Sequence, residues 1–240
     1  MQDFLVLDLG LRSYAEALSF QRALAAARIA KRVPHDVLVL VEHPPVITTG
    51  RSTKAGNLLA GEALLAARGV ELFDVERGGD VTFHGPGQLV GYPIVDLNEH
   101  RLDLHWYLRQ VEEVLIRGVA PFGIDAERNP GKTGIWTNGR KLASIGVHAR
   151  SWVTWHGFAL NVTTDLSYFD LMVPCGLDGV EMTSVARELL ERASGACLAP
   201  SPDLGEAVRA SVVRSFGHVL ERSPVPTTLE AIQPALEERT

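Results

Sequence analysis

The stretch "NPGKTGIWTNGRKLASIGVHAR", Asn129–Arg150, places Asn138-Gly139 between two runs of strand-forming residues. That dipeptide suits a two-residue hairpin turn, which needs positive φ at both central positions. Working outward, "QLVGYPIVDL" (88–97) and "WHGFALNV" (155–162) also read as strands, so the middle of the chain is a set of hairpin-joined strands. Helical patterns lie on both sides. Ser13 to Arg32 repeats Ala17, Phe20, Leu24 and Ala27 at steps of three and four, and Asp103 to Val119 lines up Leu104, Leu108, Val111, Leu115 and Val119. Thr183 to Ala193 and Pro202 to Leu220 are further helices, the second with Ser201 as its cap. Strands grouped between helices predict an α+β architecture rather than a regular βαβ alternation.

Nearer the N-terminus, "VLVLVEH" (37–43) reads as a buried strand ended by Pro44 and Pro45. Thr48 to Asn57 reads as a loop, Gly61 to Arg68 as a short helix and "VELFDVE" (70–76) as a strand. Residues 1–222 are expected to form one domain. The prolines and charges of 223–240 suggest a loosely held tail.

Composition excludes several classes. With 46% hydrophobic and 22% charged residues the 240-residue chain is ordinary for a globular protein. Net charge is −6 and the 23 basic residues are scattered, which argues against a nucleic-acid partner. No apolar run is long enough for a membrane span, and "MQDFLVLDLGLR" lacks the features of a signal peptide, so a cytoplasmic protein is expected. The two cysteines, Cys175 and Cys197, show no paired spacing. Eight histidines form no metal-ligand motif, and no metal is expected. "GKTG" at Gly131 is no phosphate loop, because Ala126 stands where the first glycine belongs.

Three places carry possible chemistry. In "VPCGL", Pro174 fixes the backbone before Cys175 and Gly176 frees it afterwards, so this thiol suits the point of a turn. It is either a nucleophile whose pKa a nearby cation lowers, or a small buried apolar residue. Lys141, if on a strand, shares its side with Ala143, Ile145 and Val147. Such a lysine either snorkels to water or faces a desolvated pocket where it trades a proton with a thiol. Finally, "RGGDVTFHGPGQ" (77–88) clusters four glycines around Thr82 and His84, which point to one side of a strand.

In order, "RGGDVTFHGPGQLVGYPIVDL", "GIWTNGRKLASIGVHA", "HGFALNV", "DLSYF", "VPCGL" and "MTSV" resemble the lipoyl(octanoyl) transferase family over Arg77 to Val185. Phe83, Leu142 and Met182 are mild departures, and nothing is carried over beyond about Leu198. The resemblance implies a biotin/lipoate protein ligase-like fold with a mixed, largely antiparallel sheet packed with helices. It implies an octanoyltransferase with no cofactor, which moves an octanoyl group from acyl carrier protein to a lysine of lipoyl domains through a Cys175 thioester. The lipoyl domains would be those of 2-oxoacid dehydrogenase complexes and the glycine cleavage H protein. By the same resemblance Cys175 is the nucleophile and Lys141 its acid/base. Arg77, Gly78, Gly79, Asp80, Val81, Thr82, Phe83 and His84, with Ser144, Ile145, Gly146, Gly157, Phe158 and Ala159, line the acyl site, the glycines making room for substrate. Backbone amides near Gly176 are candidate oxyanion donors. Lys31 with Arg32, and Arg140 with Arg150, are candidates for docking an acidic carrier.

Overall fold

The computed structural model describes residues 2–177, 179–192 and 201–237. The hairpin read from Asn138-Gly139 is present, near one edge of the large sheet. Strands β8 (Lys132–Thr137) and β9 (Arg140–Arg150) are joined by a turn in which Asn138 has φ 50° and Gly139 φ 76°. The elements before it are β1 (Gln2–Leu11), α1 (Tyr14–Ile29), β2 (Asp36–Glu42), β3 (Val46–Thr49), α2 (Glu62–Ala67), β4 (Glu71–Asp74), β5 (Thr82–His84), β6 (Gln88–Ile94), α3 (Leu104–Val119) and β7 (Glu127–Asn129). After it come β10 (Val153–Asn161), α4 (Val185–Arg192), α5 (Leu204–Leu220), β11 (Arg222–Thr227) and α6 (Leu229–Leu236).

Eight strands form one sheet in the order β11-β1-β2-β6-β10-β9-β8-β7, and β4-β3-β5 form a second. In the large sheet β1 pairs parallel with β11 and β2, and every other pairing is antiparallel. This is the mixed, largely antiparallel α+β sheet expected. Helices α3 and α5 cover one face, burying Val111, Leu115, Val212 and Phe216 against Phe4, Leu38 and Leu160. Helix α1 covers the other, where Leu24 and Ala27 pack on Leu7, Val39 and Ile94. A capping box between Ser13 and Glu16 starts α1.

Three expectations change. Residues 223–237 are not a loose tail: β11 pairs with β1, and α6 buries Ile232 with α1 in the core of that face. Pro224 and Pro226 alternate along β11, an edge strand, so the positions without an N–H lie along its unpaired side. Thr48 and Thr49 belong to β3 rather than to a loop. Ser201 precedes α5 without capping it: the helix begins at Leu204, with Asp203 at the cap position. Ala193 and Cys197 lie outside the described residues.

Candidate active site

Cys175 sits in a tight turn, Pro174–Gly176, with φ 57° and ψ 20°. A left-handed conformation is unfavourable for a residue with a side chain, so the turn must be held by its surroundings. The Cys175 N–H donates to the Val81 carbonyl at 3.0 Å, and the Val173 N–H to the Asn57 carbonyl at 2.7 Å. Gly176 has φ +65°, and a Cβ there would meet Asp80 Oδ2 at 2.3 Å. That carboxylate accepts from Asn57 Nδ2 at 2.6 Å and from the Val81 N–H at 2.6 Å. The glycine after the cysteine therefore lets the Asp80 carboxylate close beneath the turn. The amides expected to receive an oxyanion are already engaged: the N–H groups of Cys175, Gly176 and Leu177 donate to Val81, Val173 and Pro174.

Lys141 reaches this turn from the start of β9. Its Nζ donates to Cys175 Sγ at 3.0 Å, and the side chain is 1% exposed. Its backbone is fixed on both sides, the N–H bonded to Glu181 O and the C=O to Thr183 N. Gly134 makes room for the side chain, since a Cβ there would lie 3.0 Å from Lys141 Cε and 2.4 Å from the Ala143 carbonyl. No carboxylate among the described residues pairs with Lys141.

The face of Lys141 differs from the strict alternation expected. Pairing runs Ile135 to Ala143 and then Trp136 to Lys141, so β9 carries an extra residue at Leu142. This bulge puts Ala143, Ile145 and Val147 against the core under α3 and α5, while Lys141 comes into line with Ser144. Ser144 Oγ lies 3.5 Å from the same sulfur. Burial pushes the Cys175 thiol up, but the Lys141 charge, the hydrogen bonds from Lys141 and Ser144 and the Arg77 charge together outweigh it and leave its pKa below the ordinary thiol value.

The turn opens on a cleft of ≈ 480 Å³ lined by Arg77, Gly78, Gly79, Asp80, Thr82, His84, Ser144, Ile145, Gly146, Gly157, Phe158 and Ala159. Val81 and Phe83 are not in its lining; they face the core of the small sheet, with Ile47 and Leu171. At three glycines of this region the close neighbour is the protein itself, whereas Gly78 and Gly79 line the cleft with no contact under 3.4 Å. A Cβ at Gly85 would meet the Phe83 ring at 2.3 Å, at Gly146 the Gly78 carbonyl at 2.7 Å, and at Gly157 the Gly91 carbonyl at 2.2 Å. Arg77 is buried and spends its guanidinium on Thr48 O, Thr48 Oγ1 and Gly78 O, tying the segment to β3.

Several residues of the site carried no sequence signal. Asn57 and Thr48 act through Asp80 and Arg77. Tyr14, Tyr92 and His156 line the cleft from α1, β6 and β10. Only the tertiary arrangement brings Tyr14, the first residue of α1, to the cleft. Among the described residues no three His, Cys, Asp or Glu side chains are grouped to hold a metal ion, and no helix is long and apolar enough to cross a membrane.

Residues 13–196 match the lipoyl protein ligase A/B catalytic domain. The octanoyltransferase of Gloeobacter violaceus is 46% identical over 95% of both chains, and that of Geobacter metallireducens 47% over 96% of this chain and 99% of its own. Among solved structures, lipoate-protein ligase A bound with ATP superposes with a TM-score of 0.74 at 17% identity, covering 98% of this chain and 92% of its own. The bipartite lipoate protein ligase of Thermoplasma acidophilum gives 0.71 at 16%, covering 98% and 91%. These two establish a shared fold. With relatives nearly half identical along almost the whole chain, and the domain matched from α1 through the cysteine turn, the chain belongs to the lipoyl protein ligase A/B catalytic domain family, among its octanoyltransferases.

Proposed function

We propose that this chain transfers an octanoyl group from an acyl carrier protein to a lysine of a lipoyl domain, with Cys175 as the nucleophile and Lys141 as its acid/base. The observation that carries the reading is the 3.0 Å hydrogen bond from Lys141 Nζ to Cys175 Sγ at the wall of a partly apolar cleft. A buried ammonium whose nearest anion is a thiolate stabilises that thiolate at neutral pH. The thiolate attacks the carrier thioester, forming a new carbon–sulfur bond. Collapse breaks the old one, and the departing thiolate takes a proton from Lys141. Neutral Lys141 then removes a proton from the target lysine's ammonium. The freed amine attacks the acyl-enzyme, Cys175 leaves as thiolate, and the second amine proton goes to solvent. The donor is already an activated thioester, so no nucleotide is consumed.

Of the cations read in sequence as docking candidates Arg150 is exposed, and the other three are engaged by the protein itself. Lys31 is bonded to Asp96 and Glu99, Arg32 to the Glu237 carbonyl, and Arg140 to Glu188 and Glu191. Arg51 and Lys54, exposed on the loop that bonds Arg77 and Gly79, and Lys132 at the cleft form no ion pair among the described residues. These cations suit an acidic carrier against the net charge of −6. Transfer to a purified lipoyl domain is expected to proceed without ATP, and KM for the carrier to rise with salt. Arg51→Glu with Lys54→Glu should raise KM by about tenfold with kcat little changed. An ATP requirement would return the chain to the ligase reaction, and a flat salt response would remove the docking model.

A further inference from the structure

The lining of the cleft has an exposed part and a buried part, and the half-buried Cys175 belongs to it as well. The exposed part includes Leu104, His105 and Thr133. The buried part includes Tyr14, His84, Tyr92 and His156. An acyl chain on the Cys175 sulfur is shielded from water only if it runs inward.

His156 belongs to the buried part of that lining. It pairs in register with Val147, whose side chain faces the core beneath α3 and α5. With φ +55°, in the middle of β10, His156 departs from strand geometry and its ring lies instead with Glu76 and the buried part of the lining. The ring is backed by fixed groups. The His156 N–H donates to Gln21 Oε1 at 2.9 Å, and Nε2 lies 3.8 Å from the Glu76 carboxylate. Glu76 is anchored by Arg22 at 2.6 Å and by Trp155 Nε1 at 2.9 Å. Beside it the Tyr14 and His84 rings stack, with centroids 5.9 Å apart and planes within 8°. Burial leaves His156 with a pKa of about 4 and His84 of about 3, so both rings are neutral and can border hydrocarbon at neutral pH.

The depth of the path follows from strand register. Ser144, whose Oγ touches the sulfur, pairs with Ala159, and His156 lies three residues back along β10. Three strand residues span roughly 10 Å, on the order of the length of an extended eight-carbon chain. Resting on the acyl-transfer reading above, we infer that the His156 ring is the end stop of the acyl cavity and sets the preferred chain length at about eight carbons.

The test uses the full chain with an equimolar mixture of hexanoyl, octanoyl, decanoyl and dodecanoyl carrier proteins, and reads the acyl-enzyme by intact mass. Wild type is expected to favour octanoyl. His156→Gly keeps a residue suited to positive φ and removes the wall, so the dodecanoyl-to-octanoyl ratio should rise by about tenfold or more, the scale of discrimination that a fitted apolar pocket provides. His156→Asn, which also tolerates positive φ, should shift the ratio the same way and replaces the glycine variant if that one does not fold. Octanoylation with an unchanged ratio in a folded variant overturns the end stop and leaves the Cys175 reading intact. Wild type that forms no acyl-enzyme with any donor overturns the Cys175 reading itself.

Discussion

Cys175→Ala is expected to abolish octanoyl transfer, lowering kcat by about four orders of magnitude or more, with the sheet and helices retained. The thiolate is the only group in the cleft that the account gives a covalent role, so nothing takes its place when it is removed. The variant should still bind carrier and lipoyl domain, because Arg51, Lys54 and the cleft walls are untouched. Stability should fall modestly. The buried Lys141 Nζ loses its acceptor at 3.0 Å, a loss of about 1–3 kcal/mol that chemical denaturation measures. Steady-state transfer at or near the wild-type rate would remove Cys175 from the reaction.

Lys141→Met should lower transfer by about two to four orders of magnitude and move the thiol in a definite direction. Burial disfavours the Cys175 thiolate, and Lys141 is the foremost group opposing it, with Ser144 and Arg77 contributing less. Removing the cation lets burial prevail, so the thiol pKa rises. Alkylation by iodoacetamide at neutral pH should slow, and its pH midpoint should move upward. In the wild type, reactivity should persist below the ordinary thiol value and disappear as pH falls through the lowered pKa. Lys141→Arg separates the two roles. It keeps a positive charge, so alkylation should stay faster than in Lys141→Met, but a guanidinium does not surrender its proton, so transfer to the target lysine should remain impaired. If all three proteins share one alkylation profile, Lys141 does not set the thiol's state.

Much of this arrangement was legible because the chemistry was local. Asn138-Gly139 dictates its turn whatever surrounds it, and Pro174 with Gly176 marks a constrained cysteine. Helices α1 and α3 are announced by their apolar repeats. Other features depend on partners distant in the chain. The bulge at Leu142 leaves the apolar pattern of β9 unchanged, so alternation placed Lys141 with Ala143 although it works beside Ser144. Prolines 224 and 226 signal a break unless the strand is known to be an edge. Of the glycines of Arg77 to Gln88, Gly85 and Gly87 mark close approach, but by Phe83 and Thr163 of the protein itself. His156 resembles any strand residue until its positive φ and the Glu76 carboxylate are seen together.

The most direct measurement is a chase. The protein is mixed with octanoyl carrier protein without nucleotide, its intact mass is read and the modified residue mapped, and a lipoyl domain is then added. One octanoyl group should appear on Cys175 and pass to the domain as the enzyme returns to its original mass. A domain octanoylated with no acyl-enzyme ever forming, or with the group on another residue, would contradict the account.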